Sequence, residues 1–388
     1  MNKLRLQLKH VGQMQEADVE FGDLTVLVGP QATGKSIFLQ FFRLLLDTGY
    51  VIYRMKNYGL IWNRDIRSFL DIYLGEGMKD IWRGGENGSE IIFKDNEIDL
   101  GNLIQRGKKS KKESLFFIPA QRVLTLGRGW PRPFSDYEAS DPFSVRDFSE
   151  KVRLLMESGW ERGKGGEIFP ETRRLKNELQ KILDQTIFCG FGLHVDIHSS
   201  QKRLVLKSKE TDSTLPFMVW SAGQREFVPL LMGLYWLLPP TKISRKEDVE
   251  WVIIEEPEAG LHPNAISAVL LLILELLSRD YRVCLSTHSP HVLDVVWALR
   301  EIQDHRAPSS TILELFKAKK TLPMKKMAES VSKKNARVYY FNYETGRTQD
   351  ISGLDPASRE ASEAGWGGLS EFSGHVADVI AKIVNTQG

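Results

Sequence analysis

Residues 29 to 36 read Gly29-Pro-Gln-Ala-Thr-Gly-Lys-Ser36, a spacing that suits a loop wrapped around a phosphate. The two glycines let the backbone approach the anion without a clashing Cβ, so that consecutive N–H groups point at its oxygens. The run Asp23-Leu-Thr-Val-Leu-Val28 before the loop reads as a buried strand. After it, Ile37, Leu39, Phe41, Phe42, Leu44 and Leu45 carry helical spacing, and a helix N-terminus there adds partial positive charge. Lys35 can then reach the outer phosphates of a nucleotide, and the Ser36 hydroxyl can ligate Mg²⁺.

A second chemical group ends another apolar run. Val252-Ile-Ile254 delivers Glu255 and Glu256 to the carboxyl edge of a strand, where ligands of open α/β sheets bind. Glu255 can sit near Mg²⁺ while Glu256 positions and deprotonates an attacking water. Alone, these acids read as an acidic N-cap for the helix after Pro257 and Pro263; beside a phosphate loop they point to hydrolysis. Ser221-Ala-Gly-Gln-Arg-Glu226 opens a helix whose apolar positions are Phe227, Leu230, Leu231, Leu234, Tyr235 and Leu238. Ser221 is an ordinary N-cap residue, and the same arrangement offers a second anion site for a γ-phosphate. His288 follows the buried run Val283-Cys-Leu285, a place open to a structural or a catalytic role.

These residues need a scaffold, and the patterning supplies one. Alternation over 3–9 and 17–21 predicts an antiparallel ribbon, and Leu115–Ile118 a buried strand leading into Pro119-Ala-Gln-Arg122. Helices are expected near 143–158 and 171–188, strands near 192–197 and 203–208, a hairpin over 338–351, and a last helix over about 370–385. Between 50 and 88, Tyr50, Tyr53, Tyr58, Trp62, Phe69, Tyr73 and Trp82 read as a packed helical insertion in preference to a base-stacking platform. No internal repeat or low-complexity linker divides the chain, which predicts one body with insertions.

Composition narrows the function. With 52 Lys and Arg against 50 Asp and Glu, the net charge of +2 argues against a surface that is wholly a nucleic-acid or membrane magnet. Uncharged runs such as Phe227–Pro240 fall short of the roughly 20 residues a membrane helix needs. Cys189 and Cys284 have no metal-type spacing, and a reducing cytoplasm is the simplest setting. One segment, 317–337, is locally basic: Lys317, Lys319, Lys320, Lys325, Lys326, Lys333, Lys334 and Arg337 face one acid, Glu329. It reads either as a solvated, disordered loop or as a contact for DNA phosphates or an acidic, DNA-mimicking protein.

The order of the motifs resembles that of ABC-type ATPases, in the SMC- and RecF-like branch. Phe-Ile-Pro-Ala-Gln-Arg at 117–122 and Glu-Glu-Pro-Glu-Ala-Gly-Leu-His-Pro at 255–263 are most similar to compact prokaryotic ATPases related to the ATPase half of OLD-family nucleases. Such proteins occur in phage-defence operons, among them the ATPase components of PARIS and Septu. The resemblance implies an α/β ATPase head with a mixed central sheet, an antiparallel β subdomain and helical insertions at about 50–88 and 123–190, all in one domain over 1–388. It assigns ATP to Gly29, Pro30, Thr33, Gly34, Lys35, Ser36 and Ile37, with Ser221, Gly223 and Gln224 acting on ATP bound to a second subunit. It places Mg²⁺ at Ser36, Gln121 and Glu255, makes Glu256 the catalytic base, and makes His288 the γ-phosphate switch. The signature reads Ser-Ala-Gly-Gln where transporters have Ser-Gly-Gly-Gln, and Glu255 stands where many relatives carry Asp.

The implied function is a cytoplasmic ATPase that pairs around ATP as a homodimer or a larger even-numbered oligomer and controls a separate effector, such as a nuclease, in anti-phage defence. A RecF-like DNA-repair clamp is the alternative. The residues after Pro290 are basic and lack an Asp-x-Asp pair, so no nuclease activity is expected in this chain.

Overall fold

The computed structural model describes residues 4–381 apart from 64, 139, 160–165, 172, 212, 240–244, 247, 370–373 and 378. β1 (Arg5–Val11) and β2 (Met14–Glu20) pair antiparallel, and their alternating Leu6, Leu8, Ala17 and Val19 are buried on one face. The short strand Glu90–Phe93, which the alternation did not single out, extends this sheet beyond β1.

β3 (Leu24–Val28) is buried along its whole length, as are Leu115–Ile118 and Trp251–Glu255. Continuous burial of this kind belongs to parallel strands covered on both faces. The central sheet runs Thr348–Asp350, Ala336–Phe341, β3, Arg282–Thr287, Trp251–Glu255, Leu115–Ile118. All neighbours are parallel except Thr348–Asp350, which closes one edge antiparallel, so the sheet is mixed.

Period-two alternation divides the core. Val26, Val28, Ile118, Val252, Ile254, Val283 and Leu285 face helices Ala222–Leu237, Pro263–Ser278 and Pro290–Asp304. Leu27, Phe117, Ile253 and Cys284 face the other way, toward α1 (Lys35–Asn57) and the β1–β2 sheet. At Asp47 α1 leaves helical geometry (φ −122°, ψ 30°), and the Asp47 carboxylate accepts from the amides of Ser114 (3.0 Å) and Leu115 (2.8 Å). The kink therefore ties α1 to the start of an edge strand.

The aromatics of 50–88 do pack as core. Phe69 and Tyr73 are buried, Tyr58 stacks on Phe134 and Trp82 on Phe41. A second antiparallel sheet contains Phe191–His198 and Gln201–Ser208, close to the expected strands. The helix expected over 143–158 spans Phe143–Gly159. The one expected over 171–188 is shorter: Asn177–Leu183, continued by a π turn through Phe188. Ahead of it Arg174 reaches the carbonyls of Tyr235 (2.5 Å) and Leu238 (3.0 Å), which fixes residues 173–176 as a turn against the neighbouring helix.

The basic segment is folded, so the disordered reading is corrected. Leu322–Val331 forms a helix that buries Met324, Met327, Ala328 and Val331. Lys320, Lys333, Lys334 and Arg337 pair with Glu314, Glu329, Asp280 and Glu20. The helix expected over 370–385 lies largely outside the described residues, although 374–377 and 379–381 are helical. Among the described residues no helix is long and apolar enough to cross a membrane.

Candidate active site

Three neighbouring parallel strands deliver their carboxyl ends to one edge of the central sheet. Val28 leads into the phosphate loop, Glu255 into Glu256 and Thr287 into His288. Between them lies a cleft of about 290 Å³ lined by Gln13, Thr33, Gly34, Lys35, Ser36, Ile37, Glu256, Ser286 and His288.

The loop geometry demands its glycines. Gly34 has φ +96°, and a Cβ there would lie 2.7 Å from Met14 Cγ; Gly29 has φ +142°, and a Cβ would meet the Phe341 carbonyl oxygen at 2.5 Å. Lys35 folds back into the loop, its Nζ donating to the carbonyls of Gly29 (2.7 Å) and Pro30 (2.6 Å) and to Thr33 Oγ1 (3.2 Å). Burial pushes its pKa down to about 8, with Glu256 opposing. A phosphate entering this loop offers the ammonium a stronger partner than neutral carbonyls do.

Glu255 is 2% exposed, and its Oε2 accepts from the Ala120 amide (3.2 Å) while Oε1 has no hydrogen-bond partner. Burial raises its pKa, and the facing Ser36 hydroxyl and the Ala120 amide pull the other way. An unpartnered, buried carboxylate oxygen beside a hydroxyl is a donor set that a hard divalent cation satisfies, so Glu255 and Ser36 fit Mg²⁺. Gln121 is not brought to the cleft: its side chain is exposed at the head of the Arg122–Thr125 turn.

Glu256 adopts φ +44°, rare for a residue with a side chain, and its amide donates to the Ser286 carbonyl (2.9 Å). Its Oε1 stands 3.7 Å from His288 Nε2. Burial lowers the His288 pKa, Lys35 adds to this, and Glu256 and Glu258 oppose it; the net shift favours the neutral imidazole, which has one donor and one acceptor nitrogen.

Ser221, Gly223 and Gln224 do not line this cleft. Ser221 caps the Ala222–Leu237 helix through a reciprocal box, accepting from the Gln224 amide (3.3 Å) while its own amide donates to Gln224 Oε1 (3.1 Å). Gly223 packs where a Cβ would lie 3.1 Å from the Gly260 carbonyl oxygen.

The structure adds three residues that sequence reasoning missed. Glu258 Oε1 accepts from Thr287 Oγ1 and from the His288 amide, both at 2.7 Å, and so fixes the turn at 287–288. Arg122, fully buried, donates to the carbonyls of Glu255 and Glu256. Gln13, at the β1–β2 turn, donates to the Ala32 carbonyl (2.5 Å) and steadies the loop tip. Glu258 had a signal, a further acid two places after Glu256; the others had none in local spacing.

Residues 122–294 match the family described as AAA domain, putative AbiEii toxin, Type IV TA system. The chain is 24% identical over 326 residues to an OLD nuclease of Thermus scotoductus, an alignment covering 75% of this chain and 60% of that protein. It thus spans about three-fifths of that relative's length. Among solved structures, the SMC head domain from Thermotoga maritima aligns with a TM-score of 0.32 at 11% identity, covering 76% of this chain and 92% of that one. A dimeric ATP-binding cassette in a post-hydrolysis state, bound to ADP and phosphate, aligns with a TM-score of 0.32 at 12% identity, covering 74% and 89%.

Proposed function

We propose that this chain, an ATPase of AAA/ABC type related to the OLD nuclease, binds Mg²⁺-ATP in the cleft above β3 and hydrolyses it. The observation that carries the reading is the convergence of Lys35, Ser36, Glu256 and His288 on one cavity from three separate strand ends. Mg²⁺, held by Ser36 and Glu255, would draw charge from the phosphates. The loop amides and Lys35 bind and orient the triphosphate. Glu256 takes the proton of the attacking water, and His288, 3.7 Å away, accepts or donates a hydrogen bond at the same locus.

Two copies would complete the site. Ser221 and Gly223 lie outside the cleft of their own chain, and the free side of the Ser221 cap is exposed, an arrangement that supports contact with nucleotide on a second copy. Such a nucleotide-dependent pair suits a cytoplasmic sensor or scaffold whose ATP state governs a separate effector, in a prokaryotic anti-phage setting. The DNA-clamp alternative has less support, because Lys320, Lys333, Lys334 and Arg337 of the basic segment are paired within the molecule.

The primary test is Lys35→Ala, with ATP affinity measured by displacement of a fluorescent analogue. Affinity should fall by about 100-fold or more, the loss expected on removing a buried charge-assisted phosphate contact. Affinity retained within a few-fold would remove the phosphate loop from the mechanism.

A further inference from the structure

Arg122 does not line the cleft, yet it is fully buried and joins two parts of the molecule distant in sequence. Its Nη1 donates to the Glu255 carbonyl (2.9 Å), its Nη2 to the Glu256 carbonyl (3.0 Å) and its Nε to the Glu226 carbonyl (3.1 Å). Glu255 and Glu256 form the catalytic turn, while Glu226 belongs to the first turns of the helix that Ser221 caps. A planar guanidinium with fixed donor directions therefore transmits displacement between them more rigidly than a flexible ammonium could.

Two further observations bear on movement. Glu226 Oε2 is buried without a hydrogen-bond partner and stands 3.8 Å from Arg122 Nη2, so an approach of about 1 Å would complete a charge-assisted bond. Glu256 holds a left-handed backbone, which persists only where its surroundings over-determine it; here the restraints are its amide bond to Ser286 and the bonds its carbonyl accepts from Arg122 and from the Ala259 amide (3.0 Å). Burial lowers the Arg122 pKa, and Glu226, Glu258, Glu256 and Glu255 oppose that shift.

We propose that Arg122 is a positioning residue that couples the Ser221 helix start to the Glu256 turn, so that engagement of nucleotide by that helix sets the carboxylate that activates water. This rests on the ATPase reading above. The coupling runs within one chain, between the half-site it offers a second copy and the half-site it keeps.

The test compares Arg122→Lys with wild-type chain and with Glu256→Gln, reading ATP Kd, kcat, KM and Tm. The lysine keeps the positive charge for the surrounding glutamates but loses the three-way fork. ATP affinity should stay within about twofold while kcat falls at least tenfold. Wild-type kcat in Arg122→Lys would overturn the proposal and leave the ATPase reading intact. A wild-type chain without ATP turnover would instead sink that reading. Should the lysine variant not fold, hydrogen exchange on the Glu256→Gln chain decides: adding Mg²⁺-ATP should protect 222–226 and 255–259 together. Protection of one segment alone would overturn the coupling.

Discussion

Behind α1, Arg43, Asp147, Lys151 and Glu113 form one buried charge cluster; behind the phosphate loop, Arg122, Glu226, Glu255 and Glu258 form another. In the first, both Asp147 oxygens are engaged, by Tyr50 (3.1 Å) and Arg54 (3.1 Å) on one side and by Arg43 and Lys151 on the other, and Glu113 pairs with Lys151. Its unpartnered atoms are the Nε and Nη1 of Arg43, and that guanidinium lies 4.9 Å from the Phe143 ring centroid, where the aromatic face receives it. In the second cluster the unpartnered atoms are carboxylate oxygens: Glu226 Oε2, Glu255 Oε1 and Glu258 Oε2. A cluster whose acids are all engaged is finished by the chain itself. One with three open acceptors is completed by something else: a cation, a water, or a shift of the neighbouring helix.

The contrast can be broken experimentally. In the open cluster's turn, Glu256→Gln should cut kcat by about 10²–10⁴-fold, the usual contribution of a general base, while ATP stays bound. Light scattering should then show ATP-dependent association of the variant; unchanged turnover would assign the base elsewhere. In the closed cluster, Asp147→Asn should cost about 3–5 kcal/mol of stability in urea unfolding, because it strands buried cations, and should leave kcat per folded molecule near wild type. Burial alone would raise the Asp147 pKa, but Lys151, Arg43 and Arg54 override it and hold it below the ordinary aspartate value. Its stabilising share is therefore full above about pH 4 and is lost as pH falls further, so the variant should show a flatter acid limb. A variant that loses activity without losing stability would dissolve the distinction. The smallest effect is expected for Glu258→Ala, which frees the Thr287 and His288 contacts: kcat should drop about tenfold at nearly constant Kd for ATP. A stability loss as large as that of Asp147→Asn would place Glu258 with the closed cluster.

What could be read from the sequence follows the range of the interactions. The strand-to-helix loop at 29–36 was legible because its pattern is contained in eight consecutive residues, and the buried strands because burial on both faces leaves an unbroken apolar run. The placement of Glu255 and Glu256 at the end of a buried strand was legible from the apolar run before them. Arg122 was not, since the carbonyls it holds lie more than a hundred positions away and any polar side chain could occupy that site on spacing alone. The 171–188 helix was overextended for the same reason: Arg174 prefers the carbonyl ends of a distant helix to a place in its own. Ser221 reads as a cap in sequence and is one, while any second role depends on a surface of another molecule.

That cap has a directional consequence. A hydroxyl oxygen that already accepts from the Gln224 amide still has its proton and its second lone pair to offer. An oxyanion that arrives at the exposed side of Ser221 thus meets a polarity it can use, an O–H free to donate. Threonine would preserve that polarity and alanine would erase it, with the helix start weakened in the same stroke.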